Sequence, residues 1–316
     1  MFLKNSLAAS TCLNAKPIVC AATFLPSFQE KPLFKMSLSG QRIGIEANQT
    51  QLIELAKKHG FSAVEPLVWD LKSLDPPKIE ALKAQLAAAN LVWGAADLPV
   101  EFRQTDEKFR QDLKNLPAIA QALQAVGVTR TTTWITPCHQ TLTYRANFRQ
   151  HSKRLKETAQ VLEQHGLRLG LEYVGTKSQW VTMRFPFVHS MVETKELMAV
   201  IGQNNVGLVL DSWHWTMAEE NSDSIRSLKN ENVVAVDLSD APPGIPLDQQ
   251  DGEKRELPMA TGTINTKSFL QALVDIKYDG PIRAEPFNQN VNAMENDPAA
   301  KATSEALKKA FATVGA

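Results

Sequence analysis

Acidic residues end four consecutive predicted strands in the second half of the chain. The motifs read, in order, Leu-Glu-Tyr, Leu-Asp-Ser-Trp-His, Val-Asp-Leu-Ser-Asp and Arg-Ala-Glu-Pro-Phe. If these strands are parallel neighbours, their carboxyl ends lie at one edge of the sheet, and the side chains meet there. Carboxylates at close range repel each other unless they are protonated, paired with Arg or Lys, or bridged by a cation. The side chains concerned are Glu172, Asp211, His214, Asp237, Asp240, Arg283 and Glu285.

A bound divalent metal ion is the simplest way to hold so many carboxylates together. A single acidic residue at a strand end is often only a cap or part of a surface ion pair, so this expectation rests on the four in succession. His214 follows Asp211 by three residues and can face the same site. Oxygen ligands with at most one imidazole favour Mn²⁺ or Mg²⁺; Co²⁺ and Zn²⁺ also fit the donor set.

The elements that must position these residues alternate along the chain. Short runs rich in β-branched residues are followed by longer stretches with helical spacing, which predicts eight strand–helix units. Strands are predicted at 34–38, 63–68, 91–97, 129–135, 168–173, 206–211, 233–238 and 282–286. Helices are predicted at 48–59, 76–90, 107–126, 147–165, 192–201, 222–230, 266–276 and 297–314.

Eight such units predict an α/β fold with parallel strands and right-handed crossovers. A doubly wound open sheet usually has a Gly-rich phosphate turn after its first strand, and neither G-x-G-x-x-G nor G-x-x-x-x-G-K-[ST] occurs here. We therefore predict a (β/α)8 TIM barrel, a single domain over residues 36–316.

Residues 1–35 differ from the rest and are predicted to be a leader or a disordered N-terminal extension. The segment 2–10 resembles the end of a twin-arginine leader without the arginine pair, and Lys16 and Pro17 interrupt the apolar stretch of an export signal. The location of the protein therefore stays open between the cytoplasm and export to the periplasm.

The composition of the 316-residue chain excludes several classes of protein. Its 34 basic and 34 acidic residues give a net charge of zero, which argues against a nucleic-acid-binding protein. No apolar run reaches about 18 residues, so no membrane span is expected. Three cysteines, Cys12, Cys20 and Cys138, are too few and too poorly spaced for a disulfide framework or a thiolate zinc site. A homo-oligomer is left open.

The four strand-end motifs resemble the sugar phosphate isomerase/epimerase superfamily, the xylose-isomerase-like TIM barrels, over residues 36–316. The resemblance implies a small-molecule sugar as the substrate and one divalent metal ion held by residues on strands five to eight. It implies Glu172, Asp211 and Glu285 as metal ligands, with His214 near the substrate or the metal. At strand seven the family usually has the His of a His-x-x-Asp sequence, whereas this chain has Asp237 followed by Asp240. Asp237 is accordingly expected to replace the histidine as a metal ligand, which would make the ligands all carboxylates. Asp240 is expected to bind substrate.

The segment after strand seven carries a second part of the resemblance. It contains Lys254, Arg255 and the run Ala-Thr-Gly-Thr-Ile, similar to a family loop in which an Arg before a Gly-Thr-rich turn contacts substrate oxygens. Arg255 is the candidate for that contact, although a solvated charge cluster on a loop would give the same pattern.

The resemblance implies an isomerase or epimerase that removes a proton next to a carbonyl through a metal-stabilised enediolate. Glu172 and Glu285 would be the base and acid, while His214, Arg255 and Arg283 would orient the substrate. Three alternatives remain: a keto-sugar lyase or dehydratase, a non-catalytic carbohydrate-binding barrel, and a metal-dependent nuclease of the endonuclease IV kind. The nuclease needs a histidine-rich cluster, and the six histidines are scattered.

Overall fold

The computed structural model describes residues 34–315, and their parallel strands form one barrel with helices around it. The expectation about residues 1–35 therefore lies almost wholly outside the described residues. The strands are β1 (Lys35–Leu38), β2 (Ala63–Val64), β3a (Val92–Trp93), β3b (Ala96–Asp97), β4 (Arg130–Trp134), β5 (Arg168–Glu172), β6 (Val206–Asp211), β7 (Val233–Leu238) and β8 (Pro281–Ala284).

The sheet closes on itself at the third strand. β3a pairs with β2 and β3b pairs with β4, and only two residues separate the two pieces. Gly94 lies in this break, where a Cβ atom would come within 2.6 Å of the Ser37 hydroxyl oxygen. The close approach of β1 thus explains why the predicted strand 91–97 is interrupted. All eight predicted strands are present, which confirms the TIM barrel.

The helices that follow the strands are α1 (Gln49–Lys58), α2 (Pro76–Ala88), α3 (Asp106–Val126), α4 (Tyr144–Gln164), α5 (Met191–Ile201), α6 (Ser222–Arg226), α7 (Thr266–Asp275) and α8 (Asn296–Ala312). Their ends follow local rules. Asn48 caps α1 in a capping box with Gln51, and Gly127 ends α3 at a φ of 91°. None of the helices in residues 34–315 is both long and apolar enough to cross a membrane.

Two predicted elements are shorter than expected. The strand predicted at 63–68 ends at Val64, since Pro66 has no N–H for a strand ladder. The helix predicted at 222–230 ends at Arg226, where Ser222, Ser224 and Ser227 make local hydrogen bonds that compete with a helix.

Alternation along the strands decides which side chains face into the barrel. Val209 lies two residues before Asp211, and Ala235 two before Asp237, so each pair shares a face. Val209 and Ala235 pack with Ala95 in a small cluster separate from the main core between strands and helices. The acidic side chains therefore lie directly above a layer of small apolar residues inside the barrel.

Candidate active site

Four carboxylates meet at the carboxyl ends of β5 to β8. Glu172 and Asp211 are the last residues of β5 and β6, Asp237 lies within β7, and Glu285 follows β8 directly. All four are buried, with between 0% and 8% of their surface exposed. In two overlapping groups, the potential ligand atoms lie within 4.8 Å of one another: Glu172 with Asp211 and His214, and Glu172 with Asp237 and Glu285. The structure thus brings together five of the residues singled out from the sequence.

Three arginines neutralise part of this acidic charge. Arg255 Nη1 donates to Asp211 Oδ2 at 2.7 Å and to Glu285 Oε2 at 3.3 Å. Arg283 binds both oxygens of Asp237, at 2.5 and 3.1 Å. Arg42, on a 3₁₀ turn (Gln41–Ile43) after β1, lies with Nε 2.9 Å from Glu285 Oε1. Arg42 also donates from Nη2 to Asp97 Oδ1 at 3.2 Å.

Glu172 is the carboxylate that these arginines leave unpaired. Its Oε1 atom is buried and accepts no hydrogen bond from any described residue. Three guanidinium groups face the four buried carboxylates, and Arg42 is shared with the half-exposed Asp97, so the ionised site keeps an excess of negative charge.

The pKa values follow from this crowding. Burial raises the pKa of Glu172 well above its usual range, and the charges of Glu285, Asp237 and Asp211 raise it further. Burial also raises the pKa of Asp211 to about 7, although Arg255 opposes the shift. For Glu285, burial and the charge of Asp237 raise the pKa, against the effect of Arg42 and Arg255. Ionised carboxylates at this site are therefore costly without a further cation.

His214 is neutral and held on both ring nitrogens. It lies in the helix Ser212–Met217 directly after β6, and burial together with Arg255 lowers its pKa well below the usual value. Arg255 Nη2 lies 3.2 Å from Nε2, which must accept because arginine is only a donor. The proton is thus on Nδ1, 3.4 Å from the Thr176 hydroxyl.

A cavity of about 600 Å³ opens above the carboxylates. Trp134 and Phe287 contribute apolar rings to its wall, and Arg103 stacks on Trp134 with its guanidinium carbon 4.6 Å from the ring centroid. Phe287 has a φ of 39°, a strained value for a non-glycine residue of the kind that clusters at functional sites. The polar residues that line the cavity are Gln41, Arg42, Asp97, Arg103, Thr132, Thr133, Glu172, Gln179, His214, Glu253, Arg255, Arg283 and Glu285.

Asp240 was expected to bind substrate, but its carboxylate binds backbone N–H groups of the loop that follows β7. It is fully buried, and its carboxylate accepts hydrogen bonds from the backbone N–H groups of Thr261, Gly262 and Ile264 at 2.7–2.9 Å, as well as from Ala241. Its backbone also pairs with Glu256, next to Arg255. The structure thus corrects the expectation: Asp240 anchors the long loop that carries Arg255.

Sequence reasoning missed Arg42, Asp97 and Arg103. Asp97 is the last residue of β3b, so the rule that was applied to strands five to eight would have found it on strand three. Arg42 and Arg103 lie in loops, where no periodic pattern distinguishes a site residue from a solvated charge.

A model of the xylose isomerase-like TIM barrel family matches residues 53–310, most of the chain. The chain belongs to the xylose isomerase-like TIM barrel family. Curated proteins gave no match in a sequence comparison.

Solved structures agree with this assignment. A xylose isomerase domain protein from Alicyclobacillus acidocaldarius is 27% identical, with a TM-score of 0.78 over 90% of this chain and all of that one. IolI, in a structure with a bound zinc atom, is 20% identical, with a TM-score of 0.74 over 89% of this chain and 99% of that one. A D-psicose 3-epimerase from Clostridium cellulolyticum, solved with D-tagatose, is 16% identical, with a TM-score of 0.66 over 90% and 97% of the two chains. The last two similarities concern the fold alone.

The donor set at the strand ends fits a divalent metal ion. Glu172, whose Oε1 atom accepts no hydrogen bond from any described residue, belongs to both groups of potential ligands, and the ionised site keeps an excess of negative charge that a cation would offset. Carboxylate oxygens are also the ligands that Mg²⁺ and Mn²⁺ prefer.

Proposed function

We propose that the protein is a divalent-metal-dependent isomerase or epimerase of a sugar or keto-sugar. The observation that carries this proposal is the position of Glu172: a buried carboxylate with a free oxygen, at the centre of the acidic site and in the wall of the cavity. Such a group can take a proton from a carbon atom next to a carbonyl.

Glu172, Asp211 and Glu285 are the residues that we propose to hold the ion, with Mn²⁺ or Mg²⁺ favoured. When bound, the ion supplies Lewis-acid polarisation of the substrate carbonyl, which makes the neighbouring C–H more acidic. Asp237 is not included because a single guanidinium, that of Arg283, holds both of its oxygens in a two-point contact. Asp211 meets an arginine through one oxygen only, and the oxygens of Glu285 pair with two separate arginines.

Glu172 and Glu285 are proposed as the pair that moves the proton. Burial raises the pKa of Glu172 well above its usual range, so this carboxylate holds a proton more strongly than an exposed glutamate does. Glu285 forms ion pairs with Arg42 and Arg255, and Arg255 Nη1 donates a hydrogen bond to its Oε2 atom. Arg255 would also bind a substrate oxygen, as it borders the cavity between the rings of Trp213 and Phe287.

The cavity suits a polyhydroxylated substrate with an apolar face. Its volume is within the range of roughly 300–1,000 Å³ that is usual for ligand pockets. Trp134 and Phe287 offer rings for the C–H face of a sugar, while the arginine and threonine side chains offer donors to its hydroxyl groups. The fold shared with a D-psicose 3-epimerase supports the choice of ketoses as first test compounds.

The test is hydrogen exchange in deuterated water. Metal-stripped protein, loaded with Mn²⁺ or Mg²⁺, is incubated with D-fructose, D-psicose and D-tagatose, and NMR follows the incorporation of deuterium next to the carbonyl. We expect incorporation with wild-type protein and its loss in Glu172→Gln. NMR of the products also distinguishes an epimer from a dehydrated sugar.

Glu220→Gln is the matched control. Glu220 also has a pKa raised by burial, but it bonds to the Tyr173 hydroxyl and the Met191 N–H, outside the cavity. Exchange at the wild-type rate in Glu172→Gln would show that Glu172 is not the base.

A further inference from the structure

Asp237 and Arg283 form a closed pair inside the barrel. They are register partners on β7 and β8, and their residues are 0% and 3% exposed. Nε of Arg283 lies 2.5 Å from Oδ1 of Asp237, and Nη2 lies 3.1 Å from Oδ2. This two-point contact matches the planar fork of a guanidinium to a carboxylate and fixes the direction of the arginine.

The third guanidinium nitrogen of Arg283, Nη1, donates no hydrogen bond to any described residue. Nη1 is buried and lacks a hydrogen-bond partner among residues 34–315, and Arg283 borders the cavity above the carboxylates. A buried donor without an acceptor costs free energy, so an oxygen atom of a bound ligand would be stabilised there.

A metal ion bound to Asp237 would meet an unfavourable charge. An ion at ligand distance from either oxygen would lie close to the guanidinium of Arg283, in a buried region where like charges repel strongly. Arg42 adds a second positive charge near Arg283. Glu172, in contrast, has an oxygen with no cation bonded to it, and one oxygen of Asp211 accepts only from the neutral Trp213 N–H. Glu285 is paired with Arg42 and Arg255, but neither arginine holds both of its oxygens.

We propose that Arg283 binds an oxygen atom of the sugar through Nη1, and that Asp237 positions Arg283 instead of binding the metal ion. The inference rests on the proposed function, since it places a sugar and a metal ion in the same cavity. Asp237 thereby acts on substrate affinity through Arg283, while metal affinity depends on Glu172, Asp211 and Glu285.

Metal affinity tests the role of Asp237 without any turnover. The double variant Asp237→Asn/Arg283→Gln removes one negative and one positive charge, so the net charge of the site is unchanged. Electron paramagnetic resonance of free Mn²⁺ then gives the Kd of metal-stripped protein. We expect the double variant to stay within threefold of wild type, and the ligand control Asp211→Asn to weaken binding at least 30-fold. A loss of tenfold or more in the double variant would overturn the assignment of Asp237.

A crystal structure of Mn²⁺-loaded wild-type protein decides the same point if the double variant does not fold. The inference requires both Asp237 oxygens to bind Arg283 and to lie beyond 3.5 Å from the ion. An oxygen at a ligand distance of about 2.0–2.6 Å contradicts it.

Sugar affinity tests Arg283 and its dependence on Asp237. D-fructose is titrated into the Mn²⁺-loaded protein, up to molar concentration, while tryptophan fluorescence is followed. We expect Arg283→Gln to weaken binding at least tenfold and Asp237→Asn to weaken it about as much. A residue that acts only through Arg283 has no further effect once Arg283 is replaced, so the double variant should equal Arg283→Gln.

The outcomes separate the two proposals. Unchanged D-fructose affinity in Arg283→Gln, or an effect of Asp237→Asn that persists without Arg283, overturns the inference and leaves the proposed function standing. Wild-type protein that binds neither Mn²⁺ nor D-fructose overturns both.

Discussion

Arg255 Nη1 donates to Asp211 Oδ2 at 2.7 Å, and the two side chains are only 3% and 0% exposed. The contact joins the end of β6 to a loop that begins after β7, and it brings a guanidinium into the acidic site. Burying two charges is favourable only while they remain paired, so the loop and the site depend on each other.

Arg255→Ala should destabilise the fold. The substitution leaves Asp211 and Glu285 buried without this partner, and breaking a buried ion pair typically costs about 3–5 kcal/mol. Urea unfolding of metal-free protein at pH 7.5, where the pair is ionised, measures the loss. Lys254→Ala is the matched control: its side chain is 73% exposed, and we expect a change within about 0.5 kcal/mol. Equal effects of the two substitutions would refute the structural role of the buried pair.

Asp240→Ala should loosen the loop that carries Arg255. Four backbone N–H groups lose their acceptor, and a buried donor left unsatisfied costs about 1–3 kcal/mol. We expect a lower free energy of unfolding and faster proteolysis of the loop within residues 241–262, detected by mass spectrometry of the fragments. Asp248→Ala, in the same loop but with a side chain 55% exposed, should leave both properties unchanged. Cleavage at the wild-type rate in Asp240→Ala would contradict the anchoring role.

The barrel and the acidic site were predictable from the sequence for a common reason. Strand periodicity and the alternation of faces are local properties, so the positions of Glu172, Asp211 and Glu285 at the strand ends follow from the pattern alone. The group with which each acidic side chain pairs depends on the direction of that side chain and on the loops around it. Asp237 was therefore expected as a metal ligand, with no sign in the pattern that Arg283 holds both of its oxygens. Asp240 was expected to bind substrate, whereas its carboxylate binds backbone N–H groups of the loop.

The stability of metal-free protein should fall as the pH rises toward neutrality. The pKa of Asp211 is raised from 3.8 to about 7 in the folded state, so the fold favours the protonated form. Its stabilising contribution is present below the unfolded pKa and is lost as the pH rises through about 7. The raised pKa values of Glu172 and Glu285 act in the same direction. Burial lowers the pKa values of His151 and His214, whose contributions oppose this trend below the unfolded histidine value of 6.5.

Urea unfolding between pH 5 and 8 in EDTA measures this slope. Asp211→Asn should make the slope shallower, because it removes one of the titrating groups. Added Mn²⁺ should restore stability most at the high end of the range, where the carboxylates are ionised. A slope above about pH 6.5 that is the same in wild type and in Asp211→Asn would contradict the proton linkage of Asp211.

Trp134→Ala should weaken substrate binding without weakening the fold. The side chain borders the cavity and is 46% exposed, and it stacks on Arg103 with 4.6 Å between the guanidinium carbon and the ring centroid. Under the proposed function, loss of an aromatic contact of about 0.5–1.5 kcal/mol predicts a KM raised about two- to tenfold for the ketose substrate, with kcat within twofold of wild type. Trp134→Phe should recover most of the loss.

The control for Trp134 is Trp69→Ala. Trp69 is 61% exposed, and it borders a different depression of the surface. Steady-state kinetics of the two variants, alongside thermal unfolding, separates a contact with the substrate from a general effect of removing an exposed ring. If Trp134→Ala lowers kcat and the unfolding temperature but leaves KM unchanged, the ring supports the barrel rim and not the sugar. A raised KM confined to Trp134→Ala instead places the sugar against this wall of the cavity, since Trp134 borders the cavity and Trp69 does not.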